Sequence, residues 1–488
     1  MDNTAEAISN PSIMGCFDAL EEEHDYYVDD LDIEGSLPKD LQGTFYRNGP
    51  GRLKIRDQIF GHWFDGDGMI AATTFKNNTV HFKNRFIRTK KYIDETAAQK
   101  ILYRGIGNEA PGGFLKNAFR PPENPANTSL MFNDGRLLAL WEGGQPFELD
   151  PATLESKGAY YFEGGLKRAQ TFSAHPKRNS KTGFYYNFGT GVNGFNLKGP
   201  KMCFWLYKIS PEGKIVQKKA FPMETYCFFH DFALTENYAI FFFTSIVVQN
   251  MGSIALGLKK PSDCITYDEN RECEVVVVDL NKMKIARTFK LDPMAVVHFG
   301  NSHEKDGKLF VDACKIHNFD TQEHLSNLFS PDFDFSTGGA RYCQYEINLA
   351  ANSVNCREIN EDALPCEFPQ WNWQQTAIET RYAYATSFCE NGSKQFFNSI
   401  QKFDKQTGEV TFHDCGPYRF TGEALFIPKE GAKAEDDGYL VSYLYDCHTE
   451  KSEVLILDAR NIEDKICTVR FHHHIPQGFH CLYTPKTF

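Results

Sequence analysis

Nowhere does the sequence carry the roughly 18 consecutive apolar residues that a membrane-crossing helix needs. Its longest apolar stretch, "YAIFFFTSIVV" at 238–248, is too short to span and reads as a buried strand. Runs of Lys or Arg are missing as well, and the formal net charge is −12 with a pI near 5.7, which argues against nucleic acid as a partner. Among 14 cysteines there is no C-x-x-C pair, and no Cys/His spacing fits a zinc site. Neither the H-E-x-x-H of zincins nor the G-x-S-x-G elbow of α/β-hydrolases occurs. The opening "MDNTAEAISNPSIMGCF" has no basic region followed by an apolar one. The expectation is therefore a cytoplasmic chain with reduced, mostly buried thiols.

What the sequence has in quantity is Phe, at 42 residues beside 22 Tyr, in short β-rich segments. "TVHFKNRFIRT", "RLLALWE", "GFYYNFG", "EVVVVDL", "KLFVDACKI" and "YLVSYLYD" alternate with turns such as "NDGR", "PEGK", "EKDGK" and "KQTGE". Many evenly spaced strands in a chain of 488 residues suggest a β-propeller more than a sandwich, because radial repetition extends a sheet fold without long exposed edges. No linker divides the chain, so residues 1–488 are expected to form one domain. Helical patterns are few: "DETAAQKILYRGI" is one and "TQEHLSNLF" a second candidate. Gly189, Gly191 and Gly194 have the spacing of a dinucleotide loop, but Gly199 and Pro200 stand where its helix should run, so a turn is expected.

Four of the 15 histidines lie in apolar, strand-like settings: His175 in "TFSAHPKRN", His230 in "CFFHDFAL", His298 in "AVVHFGNSHE" and His480 in "PQGFHCLY". Taken singly, each reads as a satisfied core histidine. Glu142 in "LLALWEGG", Glu367 in "LPCEFPQWNW" and Glu423 in "FTGEALFIP" share that apolar setting, where a buried carboxylate must be paired or protonated. An imidazole N–H is one natural partner, and metal-bound histidines commonly donate to carboxylates. From His175 onward the positions are spaced 55, 68, 69, 56 and 57 residues apart, as one inward polar residue per blade would give; the first gap, 33, is too short for a blade.

These stretches, with "GTFYRNGPG", "HWFDGDGMI", "NRFIRTKKY", "ILYRG", "ANTSL", "HDFALTENYAIFF" and the final "GFH", resemble the carotenoid cleavage oxygenase family, most closely its apocarotenoid-cleaving bacterial branch. The resemblance implies an all-β, seven-bladed β-propeller with a helical and loop cap over one face. It implies Fe(II) held by His175, His230, His298 and His480, with Glu142, Glu367 and Glu423 behind them and O2 as co-substrate. Thr128 matches a threonine near a free coordination position, and Trp141 and Phe228 match tunnel-lining positions. No general acid or base is required, since the cofactor carries the oxygen chemistry. His62 lies in a structural motif of the family and is not a ligand by resemblance. His472, His473 and His474 match no ligand and are read as strand residues on alternating faces. Cys481 stands where relatives usually have glycine.

The expected activity is cleavage of one double bond of a linear (apo)carotenoid to two aldehydes or ketones. Stilbene cleavage by the same iron site is the enzymatic alternative, with isomerisation behind it, and a non-catalytic carotenoid-binding propeller is the alternative of another class. Reversible, monotopic membrane contact is expected through Ile246 to Leu258, with Lys259 and Lys260 beside it, and no protein partner is expected.

Overall fold

The computed structural model describes residues 13–196, 199–223, 226–317, 339–389 and 395–488. The "TQEHLSNLF" candidate falls outside them. Seven antiparallel sheets form the seven blades of a β-propeller. In blades two to six the chain runs outward from the axis, beginning with the innermost strands Ser129–Asn133, Lys177–Arg178, Ala233–Leu234, Ala295–Lys305 and Cys366–Gln370.

Both chain ends take part in closing the ring. The C-terminal strand Cys481–Thr484 is the innermost strand of blade one, where it pairs with Gly43–Arg52 in the register Thr44 to Thr484 and Arg47 to Cys481. Ile33–Gly35 in turn adds to the outer edge of blade seven, against Lys465–Arg470. Blades one and seven therefore cannot leave the ring without breaking pairing between residues hundreds of positions apart.

The aromatic abundance has a place in this architecture. Each of the seven interfaces between neighbouring blades carries its own buried apolar cluster, for example Phe204, Phe241 and Phe229 between blades three and four. Stacked and edge-on rings fill these wedges, as with Phe204 and Phe241 at 4.8 Å. Twelve of the 14 cysteines are buried, in line with the mostly buried thiols expected. The predicted strand at 238–248 is two strands, Tyr238–Phe243 and Ile246–Val248, separated at Thr244 and Ser245. Gly189, Gly191 and Gly194 all lie in the strand Tyr185–Asn196 and not in a turn. A side chain at Gly189 would meet the Thr171 carbonyl at 1.9 Å, which explains the glycine without a phosphate.

On the face where the inner strands begin lies a cap of loops and short helices, built from the connection 87–128 and the excursion 249–264. Its longest helix, Lys90–Ala98, is capped by the Thr89 hydroxyl and ends at Gln99 in a left-handed conformation. It starts earlier and stops earlier than the predicted "DETAAQKILYRGI". The reason is Glu95, whose buried carboxylate accepts the backbone N–H of Leu102 and Tyr103 and turns the chain back on itself. Lys91 on the same helix is buried, with Nζ 2.9 Å from Asp67 of blade one and 3.1 Å from Glu95. Lys91→Ala should lower stability by about 3–5 kcal/mol, because it strands buried carboxylates. The measurement is a fall in thermal midpoint; an unchanged midpoint would show that Arg52, 2.7 Å from Asp67, suffices alone.

Candidate metal centre

Propeller topology brings the start of every inner strand to the axis at one level, so residues far apart in sequence become neighbours. His175 and His230 each precede a two-residue inner strand, His298 lies within one, and His480 immediately precedes the closing strand. One ring nitrogen from each of these four lies within 4.8 Å of the others. The ring of His175 lies 4.4, 5.3 and 4.5 Å from those of His230, His298 and His480.

Behind three of the four stands a carboxylate on the Nδ1 side. Glu142 meets His230 Nδ1, Glu367 Oε2 lies 2.8 Å from His298 Nδ1, and Glu423 Oε1 lies 3.2 Å from His480 Nδ1. Where the carboxylate is ionised it only accepts, so the pairing puts the proton on Nδ1 and leaves Nε2 as a lone pair facing the axis. His175 has no carboxylate; its backbone N–H donates to Ser173 Oγ at 3.1 Å.

These nitrogens fit a metal ion. His298 Nε2 is buried without a hydrogen-bond partner, a cost that a Lewis-acidic ion removes. His175 Nε2 and His230 Nε2 lie 2.7 Å apart, near the ~3 Å expected of adjacent ligands on a first-row ion with ~2.1 Å metal–nitrogen bonds. Burial and the neighbouring imidazoles hold His175 and His298 well below the ordinary histidine range, so both are neutral, the form a metal ion requires. Burial pushes the Glu367 carboxyl up to about 8 against the Phe368 N–H bond; a nearby dication would draw it back down. Burial also raises Glu142, but His230 outweighs it and the carboxyl ends below its usual range.

Thr128 completes the pattern of the inner strands. It directly precedes Ser129–Asn133, accepts the His480 N–H at its carbonyl (3.3 Å), and aims its hydroxyl at Glu142 Oε2 (3.4 Å). The polar residue at the head of blade two is thus Thr128, 47 positions before His175 (128 to 175), and the blade spacing becomes regular. Glu142 reaches the site from the connection after the second strand, Arg136–Leu140, which is why the interval of 33 was too short.

Phe228 stands at the edge of the site, its ring parallel to His230 at 6.1 Å. Trp141 is buried, bridges by its backbone to Phe172 and packs on Gly143. Phe368 was not legible in the sequence: its ring lies 5.1 Å from His298 and 5.2 Å from His480, on a left-handed backbone with φ 55°. No residue pattern signals such a conformation in a phenylalanine.

The C-terminal histidines 472–474 follow the last residue of the strand Lys465–Arg470 and are not in a strand. They tie down the N-terminal segment: His472 meets Asp32 at 3.0 Å, His473 stacks on His24 at 4.0 Å, and His474 reaches the Asp18 carbonyl at 3.1 Å. His62 has the structural place expected, its Nδ1 accepting the Phe64 N–H at the head of a short helix. Cys481 is also structural, its N–H donating to Glu423 Oε2 at 2.5 Å.

The family model of the retinal pigment epithelial membrane protein matches residues 17–485. The chain belongs to the carotenoid cleavage oxygenase family. It is 34% identical to apocarotenoid-15,15'-oxygenase of Synechocystis over 94% of this chain and 93% of that one. It is 29% identical to lignostilbene-alpha,beta-dioxygenase isozyme III of Sphingomonas paucimobilis, over 89% of both. Cobalt-substituted Synechocystis apocarotenoid oxygenase superposes with a TM-score of 0.87 at 32% identity, covering 96% of this chain and 98% of that structure. The relatives are oxygenases, and this chain is an enzyme of their type.

Proposed function

We propose that the chain is a non-haem Fe(II) dioxygenase that cleaves one double bond of a linear apocarotenoid, adding both atoms of O2 and releasing two carbonyl products. The observation that carries this reading is the all-imidazole cluster with its charge-balancing carboxylates one layer out. When bound, ferrous iron supplies the one-electron chemistry that lets dioxygen react with a closed-shell alkene. His175, His230, His298 and His480 would hold it through the ring nitrogens that converge on the axis. Glu142, Glu367 and Glu423 fix three of those rings and offset the dication's charge without occupying positions on it. Thr128, whose hydroxyl lies 3.2 Å from Asn127 Oδ1 and 3.4 Å from Glu142 Oε2, would limit which positions a ligand can take on the metal. Phe228, beside His230, and Trp141, next to Glu142 in the chain, are the residues assigned to the path of the polyene. No side chain need act as acid or base, and residues 1–488 work as one unit.

Lignostilbene cleavage by a relative keeps stilbenes as the second reading. Iron-loaded protein incubated under 18O2 with apocarotenals and, separately, with resveratrol tests both. Labelled aldehydes from the apocarotenal are expected; turnover of the stilbene alone would overturn the choice of substrate. Iron bound near zero after anaerobic reconstitution, with no oxygen uptake, would leave only the carotenoid-binding propeller.

No helix among the described residues is long and apolar enough to cross a membrane. Peripheral contact by a cytoplasmic enzyme is the proposal, and it moves from the segment first expected. Ile246 and Val247 are buried in the core, so the start of the stretch cannot meet lipid. The exposed apolar surface instead joins Leu115 (84% exposed) and Phe119 (78%) to Leu258 (60%). Arg104 staples the two segments, donating to the carbonyls of Arg120, Ile254 and Lys259 at 2.8–3.0 Å. Lys116, Arg120 and Lys259 fringe the patch and suit anionic headgroups. Each large side chain transferred from water is worth roughly 2 kcal/mol, so Leu115→Glu with Leu258→Glu should cut liposome binding more than about tenfold. Flotation measures it, and an unchanged bound fraction would remove the patch from the proposal.

A further inference from the structure

We propose that dioxygen reaches the metal centre from the end of the propeller axis opposite the cap, through a small cavity beneath the ligand imidazoles. This rests on the reading that the polyene enters from the cap face and lies over the metal there. A rod-shaped substrate in that position obstructs the cap route for the second reactant, so a separate approach is required.

The cavity holds about 70 Å³, and His175, His298 and His480 form its roof. Ligand pockets for organic molecules run roughly 300–1,000 Å³, so this one admits a diatomic gas or water and excludes a polyene. Its position follows from topology. The ligands sit where inner strands start, and the walls are the residues that come next along those strands, among them Ser129, Leu130 and Phe299. The charged side chains of its lining are Arg178, Glu423 and the buried pair Lys177 and Asp231, 3.1 Å apart.

The floor is the connection 371–380 of blade six, which crosses beneath the axis. Ser180 Oγ of blade three holds its Thr376 carbonyl at 2.6 Å, and Asn301 of blade five holds the Ile378 carbonyl at 2.7 Å. Trp371 and Trp373 stack there at 5.7 Å, and each indole N–H is satisfied, by Thr376 Oγ1 and Gln370 Oε1. Arg178 borders both this cavity and an open basin of about 510 Å³ on the far face, which makes it the gatepost between them. With both indole N–H groups engaged, the floor has no free indole donor to hold an anion, and a small uncharged molecule can lie on it.

Crystals of the metal-free protein pressurised with xenon should show xenon beneath the four imidazoles, and Ser129→Leu, which fills the wall, should remove it. In iron-loaded enzyme with apocarotenal, the same substitution should lower kcat/KM for O2 roughly fivefold or more while KM for the polyene and iron content stay as in the wild type. Trp373→Ala, which opens the floor, should leave kcat/KM for O2 equal or higher, and it serves if Ser129→Leu does not fold. Absence of xenon from the wild-type cavity would overturn the route. So would an unchanged kcat/KM for O2 in a Ser129→Leu protein that has lost its xenon, or a fall in that value on Trp373→Ala with iron retained. If the wild type cleaves no polyene, the functional reading fails separately, and xenon still decides whether the cavity admits gas.

Discussion

Replacing His480 with alanine is expected to abolish iron-dependent cleavage and to reduce bound iron to near zero after anaerobic reconstitution. The change removes one of four nitrogens that converge within 4.8 Å, and it does more besides. Glu423 loses the N–H that it accepts at 3.2 Å, although it keeps Gln370 and the Cys481 N–H, so a buried carboxylate is left facing a cluster with fewer protons to offer. The loss should exceed the roughly 10- to 100-fold that removing a partner behind a ligand costs. His473→Ala is the matched control from the same short stretch. Its ring stacks on His24 and meets the Tyr26 hydroxyl at 3.1 Å, far from any ligand role, so the cost is about 1 kcal/mol of stability with iron and turnover retained. If His473→Ala lost iron while His480→Ala kept it, the four-histidine centre would have to be rebuilt from other residues.

Why these two histidines can be told apart in sequence, while other features cannot, is a matter of which physical constraint leaves a local trace. A ligand at the head of an inner strand must be polar among apolar neighbours, and that contrast is visible at His175, His230, His298 and His480. Thr128 obeys the same constraint but is a residue found everywhere, so only the family resemblance picks it out, and the interval of 33 before His175, too short for a blade, does not point to it. Two of the inner strands have just two residues, too short for any alternation to show. The helix at Lys90–Ala98 was placed late because its end is set by the buried Glu95, a tertiary effect that no propensity records. The exposed patch around Leu115 comes from "GGFLKNAF", where flanking glycines and a four-residue helix give no periodic signal. Its junction with 251–258 is made by backbone carbonyls gathered by Arg104, which sequence pattern does not encode.

The carboxylates behind the ligands separate charge from shape, and their amide variants should not be equivalent. Glu367 takes the His298 N–H on Oε2, while its Oε1 is buried without a hydrogen bond. In Glu367→Gln the amide oxygen can still accept from His298 and from the Phe368 N–H, and the new NH2 falls beside the Cys314 thiol, whose sulfur can accept a weak hydrogen bond. Charge is lost with geometry kept, so iron affinity should fall about tenfold, the low end of what such partners contribute. Glu423 is different because both oxygens accept: Oε1 from His480 and from Gln370 at 2.7 Å, Oε2 from the Cys481 N–H. Either orientation of the amide in Glu423→Gln would set an NH2 against a donor in a buried space, and a buried unsatisfied group costs about 1–3 kcal/mol beyond the lost charge. Glu423→Gln should therefore weaken iron binding towards 100-fold and also lower the thermal midpoint of the protein before any metal is added. Iron titration followed at both variants, beside their melting curves without iron, checks the ranking. Equal affinity losses with equal midpoints would mean that the carboxylates act through charge alone, and that the Nδ1 hydrogen bonds do not set the direction in which the imidazoles point.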